Sequence, residues 1–327
     1  MTQHFLHNVE LPFSKKQIRY RELSSEDQLF LAKANVLLPS DPEFVNEYAS
    51  LLTEIISKCL KNPNELYELN FIEYIMFLTK LRIVSVGADI ELEFDPQDGE
   101  KEIAKKVKVT INLNNLLQKI YNLSLKALNE NVIKIENFEI ELDWPSLKSQ
   151  NYFINISKGD KNLNNILDSL CEYVKYIKFN GECINFLNFT HDEKLKIYEK
   201  LPIAIQNKLQ VTILKMIKDI SEESLFDLSK LEEWKFGLYD TNYLEILRLI
   251  FSFNLRNIYQ EYYILASKKI NPEYVNQLSV SERKTFITFV EEEIKAKKEE
   301  SASPSQQVNP AFGESPELQN LMREFEG

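Results

Sequence analysis

Glycine is nearly missing from this chain, and its scarcity narrows what the chain can become more than any other feature. A backbone that wraps around a phosphate needs glycine where the main chain comes closest to the ligand. The 327 residues hold only seven glycines, at Gly87, Gly99, Gly159, Gly181, Gly237, Gly313 and Gly327, well under the roughly 7% share of an average protein. No two have the spacing of a dinucleotide fingerprint or a P-loop, so those nucleotide-binding classes are excluded. What remains is a chain with 44% apolar residues and a formal charge of −11. The first is enough for a large core. The second argues against a broad nucleic-acid surface, because that affinity rests on Lys and Arg neutralising phosphates. The one basic run, with Lys105, Lys106 and Lys108 interleaving Val107 and Val109, reads as the solvated face of a strand.

The cysteines and histidines that carry reactive chemistry are few and scattered in this chain. Cys59, Cys171 and Cys183 are odd in number and far apart, so they form no disulfide framework. His4 and His7 stand near the start and His191 follows a helix cap. Two histidines without further ligands make a weak metal site. No Cys-x-x-Cys, His-Glu-x-x-His or Gly-x-Ser-x-Gly occurs. The expectation is a non-enzymatic chain with no catalytic residues, no metal and no cofactor. Met1 to His4 lacks a signal-peptide pattern. The greasiest stretch, residues 244–265, is interrupted by Glu245, Arg248, Arg256 and Glu261, so neither secretion nor a membrane span is expected.

Apolar periodicity points to a mainly α, α+β fold: a helical body with a small antiparallel β insertion and a disordered C-terminal tail ending in a short helix. Leu11 and Phe13 precede a Ser14-Lys15-Lys16 turn, and Ile18, Tyr20 and Arg21 follow in a short alternating strand, which reads as a small hairpin. Ser25 with Gln28 reads as a capping box for a helix to about Val36. Asp41-Pro42 opens a second helix, whose Phe44, Val45, Tyr48, Leu51, Leu52, Ile55, Ile56 and Cys59 form one stripe. A third, from Phe71 to about Arg82, is apolar nearly all round and so surrounded by protein. Glu73 and Arg82 bracket it; each reads as a polar group bonded at the rim of the core, with a partner contact as the sharper alternative. Alternation at Ile90 to Phe94, Val107 to Ile111, Val132 to Ile135 and Phe138 to Trp144 predicts one small antiparallel sheet between residues 88 and 145, with a short helix at Leu113 to Tyr121. Beyond about Leu163 only helices are expected: one opened by Thr190 and Glu193, one after Pro202, a long one over Thr241 to Lys268, one at Asn271-Pro272, and a last from Ser279 with Glu282 to about Glu299. The expected divisions are 1–87, 88–145, 146–300 and 301–327.

The composition changes after Glu300: residues 301–316 hold Ser, Pro, Gln and Asn with little to bury, the signature of a disordered linker. Leu318, Leu321, Met322 and Phe325 then fall at i, i+3, i+4 and i+7, a short amphipathic helix over 316–326. Each such side chain gains about 1.5–3 kcal/mol when fully buried, less the cost of ordering the segment. Either a partner or the chain's own body covers them.

The run Leu11-Pro12-Phe13-Ser14-Lys15-Lys16-Gln17-Ile18-Arg19-Tyr20-Arg21, and the block Phe71-Ile72-Glu73-Tyr74-Ile75-Met76-Phe77-Leu78-Thr79-Lys80-Leu81-Arg82 continuing through Ser85-Val86-Gly87, resemble the baseplate hub and hub-assembly proteins of T-even-like contractile phages. The resemblance is good over residues 10–94 and patchy to about 300. It marks Glu73, Tyr74, Arg82, Ser85 and Gly87 as a structural motif and brings no catalytic residues with it. It implies a hub assembly factor acting through protein–protein contacts in the host cytoplasm, with other tail or hub proteins and the tape measure protein as partners and no nucleic acid or membrane. A permanent hub subunit in the virion baseplate is the alternative. Oligomeric state is not legible.

Overall fold

Short polar side chains start most of the helices, each by taking up a backbone amide that a first turn leaves without a partner. The computed structural model describes residues 7–37, 45–94, 107–128, 131–145, 169–221 and 243–302. Strands β1 (His7–Glu10) and β2 (Gln17–Tyr20) pair antiparallel, the first earlier than expected, with Leu11 and Phe13 in the connection between them. Helix α1 (Ser25–Leu37) starts one residue earlier than the Ser25 and Gln28 pair implies. Its capping box is Ser24 with Asp27: the Ser24 amide donates to Asp27 Oδ2 at 3.0 Å, and the Asp27 amide to Ser24 Oγ at 3.1 Å. Gln28 is engaged elsewhere, accepting from the Arg283 guanidinium. Helix α2 (Val45–Cys59) buries Tyr48, Leu52, Ile55, Ile56 and Cys59 of the expected stripe and half-buries Leu51, and residues 38–44, with Asp41-Pro42 and Phe44, lie outside the described residues.

Helix α3 (Phe71–Val86) is capped by Asn70, whose Oδ1 accepts the Glu73 amide at 2.8 Å. It runs a turn past Arg82 and stops at Gly87, whose φ of 121° favours glycine. Ile72, Tyr74, Ile75, Phe77, Leu78 and Leu81 are all fully buried, as a helix apolar on every side requires. Strands β3 (Asp89–Phe94) and β4 (Val107–Asn112) form a two-stranded sheet. Residues 101–106 of the basic run lie outside the described residues. Helix α4 (Leu113–Leu128) continues beyond Tyr121 because Leu116, Leu117, Ile120 and Leu123 extend one buried stripe.

The second sheet corrects the expectation of a single sheet before residue 145 and only helix beyond. Strands β5 (Val132–Ile135), β6 (Phe138–Leu142), β7 (Val174–Phe179) and β8 (Glu182–Asn185) lie in that order, every neighbour antiparallel. Its exposed side carries the ion pairs Lys178–Glu139 at 2.8 Å and Lys175–Glu141 at 2.6 Å. The β7–β8 hairpin turns at Asn180-Gly181, with φ of 49° and 89°, a pair of left-handed residues that matches strand twist. Nothing stands within 4 Å of a Cβ added at Gly181, so Gly181→Ala meets backbone strain alone. It is expected to lower stability by about 1–2 kcal/mol in urea unfolding followed by circular dichroism, with Asn180→Gly near neutral.

Helix α5 (His191–Glu199) opens at the expected box, the Thr190 amide donating to Glu193 Oε2 at 2.8 Å. Helix α6 (Ile203–Ser221) follows Pro202. The long helix expected over residues 241–268 is instead two, α7 (Tyr243–Ile250) and α8 (Leu255–Ser267). Between them Phe251 and Phe253 turn into the core, and Asn254 restarts the chain by accepting the Asn257 amide at 3.1 Å. Helix α9 (Pro272–Gln277) is capped by Asn271, and α10 (Val280–Ala302) by Ser279 with Glu282.

The chain divides into two units, residues 1–285 and 286–327. In the first, one buried apolar cluster runs from Leu11 to Val280. There α1 packs on α8 and α9, α3 on α4 and α7, and α4 on α6. In the second, Lys297 pairs with Glu293 at 2.5 Å, the i,i+4 spacing of an exposed helix. Among the described residues no helix is long and apolar enough to cross a membrane.

Candidate functional site

The polar residues singled out on α3 join that helix to segments distant in sequence. Glu73 is 1% exposed, and its Oε1 accepts the amides of Phe13 at 3.0 Å and Ser14 at 2.7 Å. One carboxylate thus holds the β1–β2 turn. Ser85 Oγ accepts the Leu23 amide at 2.9 Å and donates to Leu81 O at 2.7 Å, anchoring the approach to α1. Arg82 is buried, donates to Gly87 O at 2.8 Å, and stacks over the Phe253 ring at 5.0 Å. Burial pulls its pKa down to about 10. Lys284, also lowered by burial, donates to Val86 O at 3.1 Å. Two cations therefore sit against carbonyls at the C-terminus of α3, where the helix dipole favours them. Tyr74, next to Glu73 in sequence, is fully buried, and Gly87 ends the helix.

A second group closes residues 22–28 onto residues 278–283. The Ser25 amide donates to Leu278 O at 2.8 Å and the Val280 amide to Leu23 O at 3.1 Å. Ser281 Oγ donates to Glu22. Arg283, fully buried, donates from Nε to Glu261 Oε2 at 2.8 Å and from Nη2 to Gln28, and lies over the Tyr262 ring at 5.5 Å.

A third group was not visible as a motif. Cys171 and Glu172 precede β7, and His191 and Lys194 lie in the first turn of α5. His191 Nδ1 is 2.9 Å from Glu172 Oε1 and 4.0 Å from Cys171 Sγ, while Lys194 Nζ donates to Glu172 Oε2 at 2.7 Å. A nucleophilic relay needs thiol and carboxylate on opposite nitrogens of the imidazole. Here both face Nδ1, so no such relay is assembled. The same three side chains place their potential ligand atoms within 4.8 Å of one another. The 19 residues that separate Glu172 from His191 follow no metal-ligand spacing, which is why residue patterns alone could not flag them. Of the other thiols, burial pushes Cys59 up to about 12, which makes it inert, and Cys183 is exposed on β8. Leu318, Leu321, Met322 and Phe325 lie outside the described residues.

These arrangements define a class: a mainly helical α+β protein in which several buried polar groups, among the described residues, join distant segments of the chain. A family profile described as T4 bacteriophage base plate protein matches residues 4–224, and the chain belongs to that family. The match bears out the resemblance to T4-like baseplate proteins and covers, besides residues 10–94, the patchier stretch as far as residue 224. No curated protein and no solved structure matches the chain. Membership gives it a structural or assembly role in the phage baseplate, among other baseplate and tail proteins.

Proposed function

We propose that this baseplate protein is a hub assembly factor that acts stoichiometrically, holding helical segments of hub or tape-measure proteins against its body. The observation that carries the reading is a second apolar face on α6. Ile205, Leu209, Ile213 and Met216 face the core, whereas Ile203, Val211 and Leu214, on the opposite side, are 74%, 63% and 43% exposed. A helix at the edge of a soluble body ordinarily keeps that side polar, and exposed apolar stripes mark places where another protein packs. Val211→Asp with Leu214→Asp is expected to leave stability within about 0.5 kcal/mol and to reduce co-purification of the partner by about tenfold or more. Co-expression with each neighbouring tail protein, followed by pull-down, reads this out; full recovery removes α6 as the contact.

The terminal side chains Leu318, Leu321, Met322 and Phe325 are the second part of the proposal, a tethered hook for another partner. Deleting residues 303–327 should leave the fold intact and weaken recovery; unchanged recovery removes the hook. Mass spectrometry of purified particles tests the assembly role itself. An assembly factor is absent or far below hub stoichiometry, and equimolar content would make the chain a permanent hub subunit.

A further inference from the structure

Cys171 and Glu172 bring a buried thiol and a buried carboxylate up against the partly exposed imidazole of His191, and relay chemistry is ruled out by the shared nitrogen described above. Around a tetrahedral ion with metal–sulfur bonds of about 2.3 Å and metal–nitrogen or metal–oxygen bonds of about 2.0 Å, neighbouring ligand atoms stand roughly 3.3–3.6 Å apart. Cys171 Sγ and His191 Nδ1 are 4.0 Å apart, and His191 Nδ1 and Glu172 Oε1 are 2.9 Å apart. Small rotations, closing the first gap and opening the second, produce that geometry. We propose that Cys171, Glu172 and His191 bind a zinc-class divalent ion, with solvent in the fourth position.

The surroundings suit three protein ligands and one open position. Cys171 is fully buried and the Glu172 side chain is 3% exposed, while the His191 side chain is 44% exposed and opens the site to water. Thiolate and imidazole together select zinc over harder cations. On binding, the thiol proton leaves to solvent, the imidazole proton resides on Nε2, and the His191–Glu172 hydrogen bond is replaced by two metal bonds. Lys194 holds Glu172 Oε2 and leaves Oε1 to coordinate, the orienting role of an outer partner. Its charge opposes the ion, and the thiolate and carboxylate offset that in part. The ion would clasp the turn before β7 to the start of α5.

Cobalt titration of the full chain tests the site, in a Cys183→Ser background that removes the exposed thiol. The expected result is a near-ultraviolet thiolate-to-cobalt charge-transfer band that saturates at one ion per chain and disappears on adding zinc. His191→Ala, which removes a partly exposed side chain and keeps the helical circular dichroism, should weaken binding by more than about tenfold. Zinc should raise the Tm of the Cys183→Ser protein and leave that of the His191→Ala variant unchanged. Absence of the band, its survival in Cys171→Ser, or equal cobalt affinity with and without His191 would overturn the proposal.

Discussion

Replacing Arg283 by alanine is expected to lower the unfolding free energy by about 3–5 kcal/mol, the largest effect of any single substitution considered. Arg283 is fully buried, ion-paired to Glu261 at 2.8 Å and bonded to Gln28 across 255 residues of sequence. Truncation leaves a partly buried carboxylate and an amide oxygen without their donor and opens a cavity beside Tyr262. Denaturant titration measures the loss. Hydrogen exchange locates it: the Ser25 and Val280 amides, which bond across the same seam, should lose protection together. The double change Arg283→Met with Glu261→Gln should recover much of the stability, because it removes both charges at once. A loss below about 1 kcal/mol for Arg283→Ala, within the range of ordinary substitutions, would mean that apolar packing alone closes the two chain segments.

Glu73→Ala should cost about 2–4 kcal/mol: a hydrogen bond to a charged group contributes about 1.5–3 kcal/mol, and the two here share one carboxylate oxygen, so they do not simply double it. Its carboxylate accepts two amides, Phe13 and Ser14, at 3.0 and 2.7 Å. Both donors are peptide groups of one turn, so the damage should be local first. Exchange at Phe13 and Ser14 should accelerate before that of α3, and β1–β2 should fray. Glu73→Gln keeps an oxygen for the two amides and loses only the charge assistance, so about 1 kcal/mol is expected. If alanine and glutamine variants unfold at the same denaturant concentration, Glu73 does not hold the turn.

The motif residues differed in how far they could be read. Glu73 and Arg82 stood out because a charged group inside an apolar helix must find a partner, yet nothing near them in sequence names Phe13 or Phe253 as that partner. The boxes at Thr190–Glu193 and Ser279–Glu282 were legible because the cap bonds run between residues three apart. The Ser24–Asp27 box was misplaced by one residue, since Gln28, an equally good candidate by spacing, is taken by Arg283. Asn180-Gly181 carried a strong hairpin signal that the expectation of helices alone beyond Leu163 passed over. The division of α7 from α8 had no local signal beyond Asn254. Asn35 of α1 donates to Phe251 O at 2.6 Å and Arg248 O at 3.3 Å, so a distant residue stabilises the carbonyls that end α7.

Residue order alone therefore determined the helical class, most helix starts and the strand faces, because each depends on spacings of two to four residues. Tertiary structure decided which carboxylate meets which amide, where one sheet became two, and how Cys171, Glu172 and His191 came together. Those outcomes depend on which distant segments close on each other, and no short-range period encodes that choice.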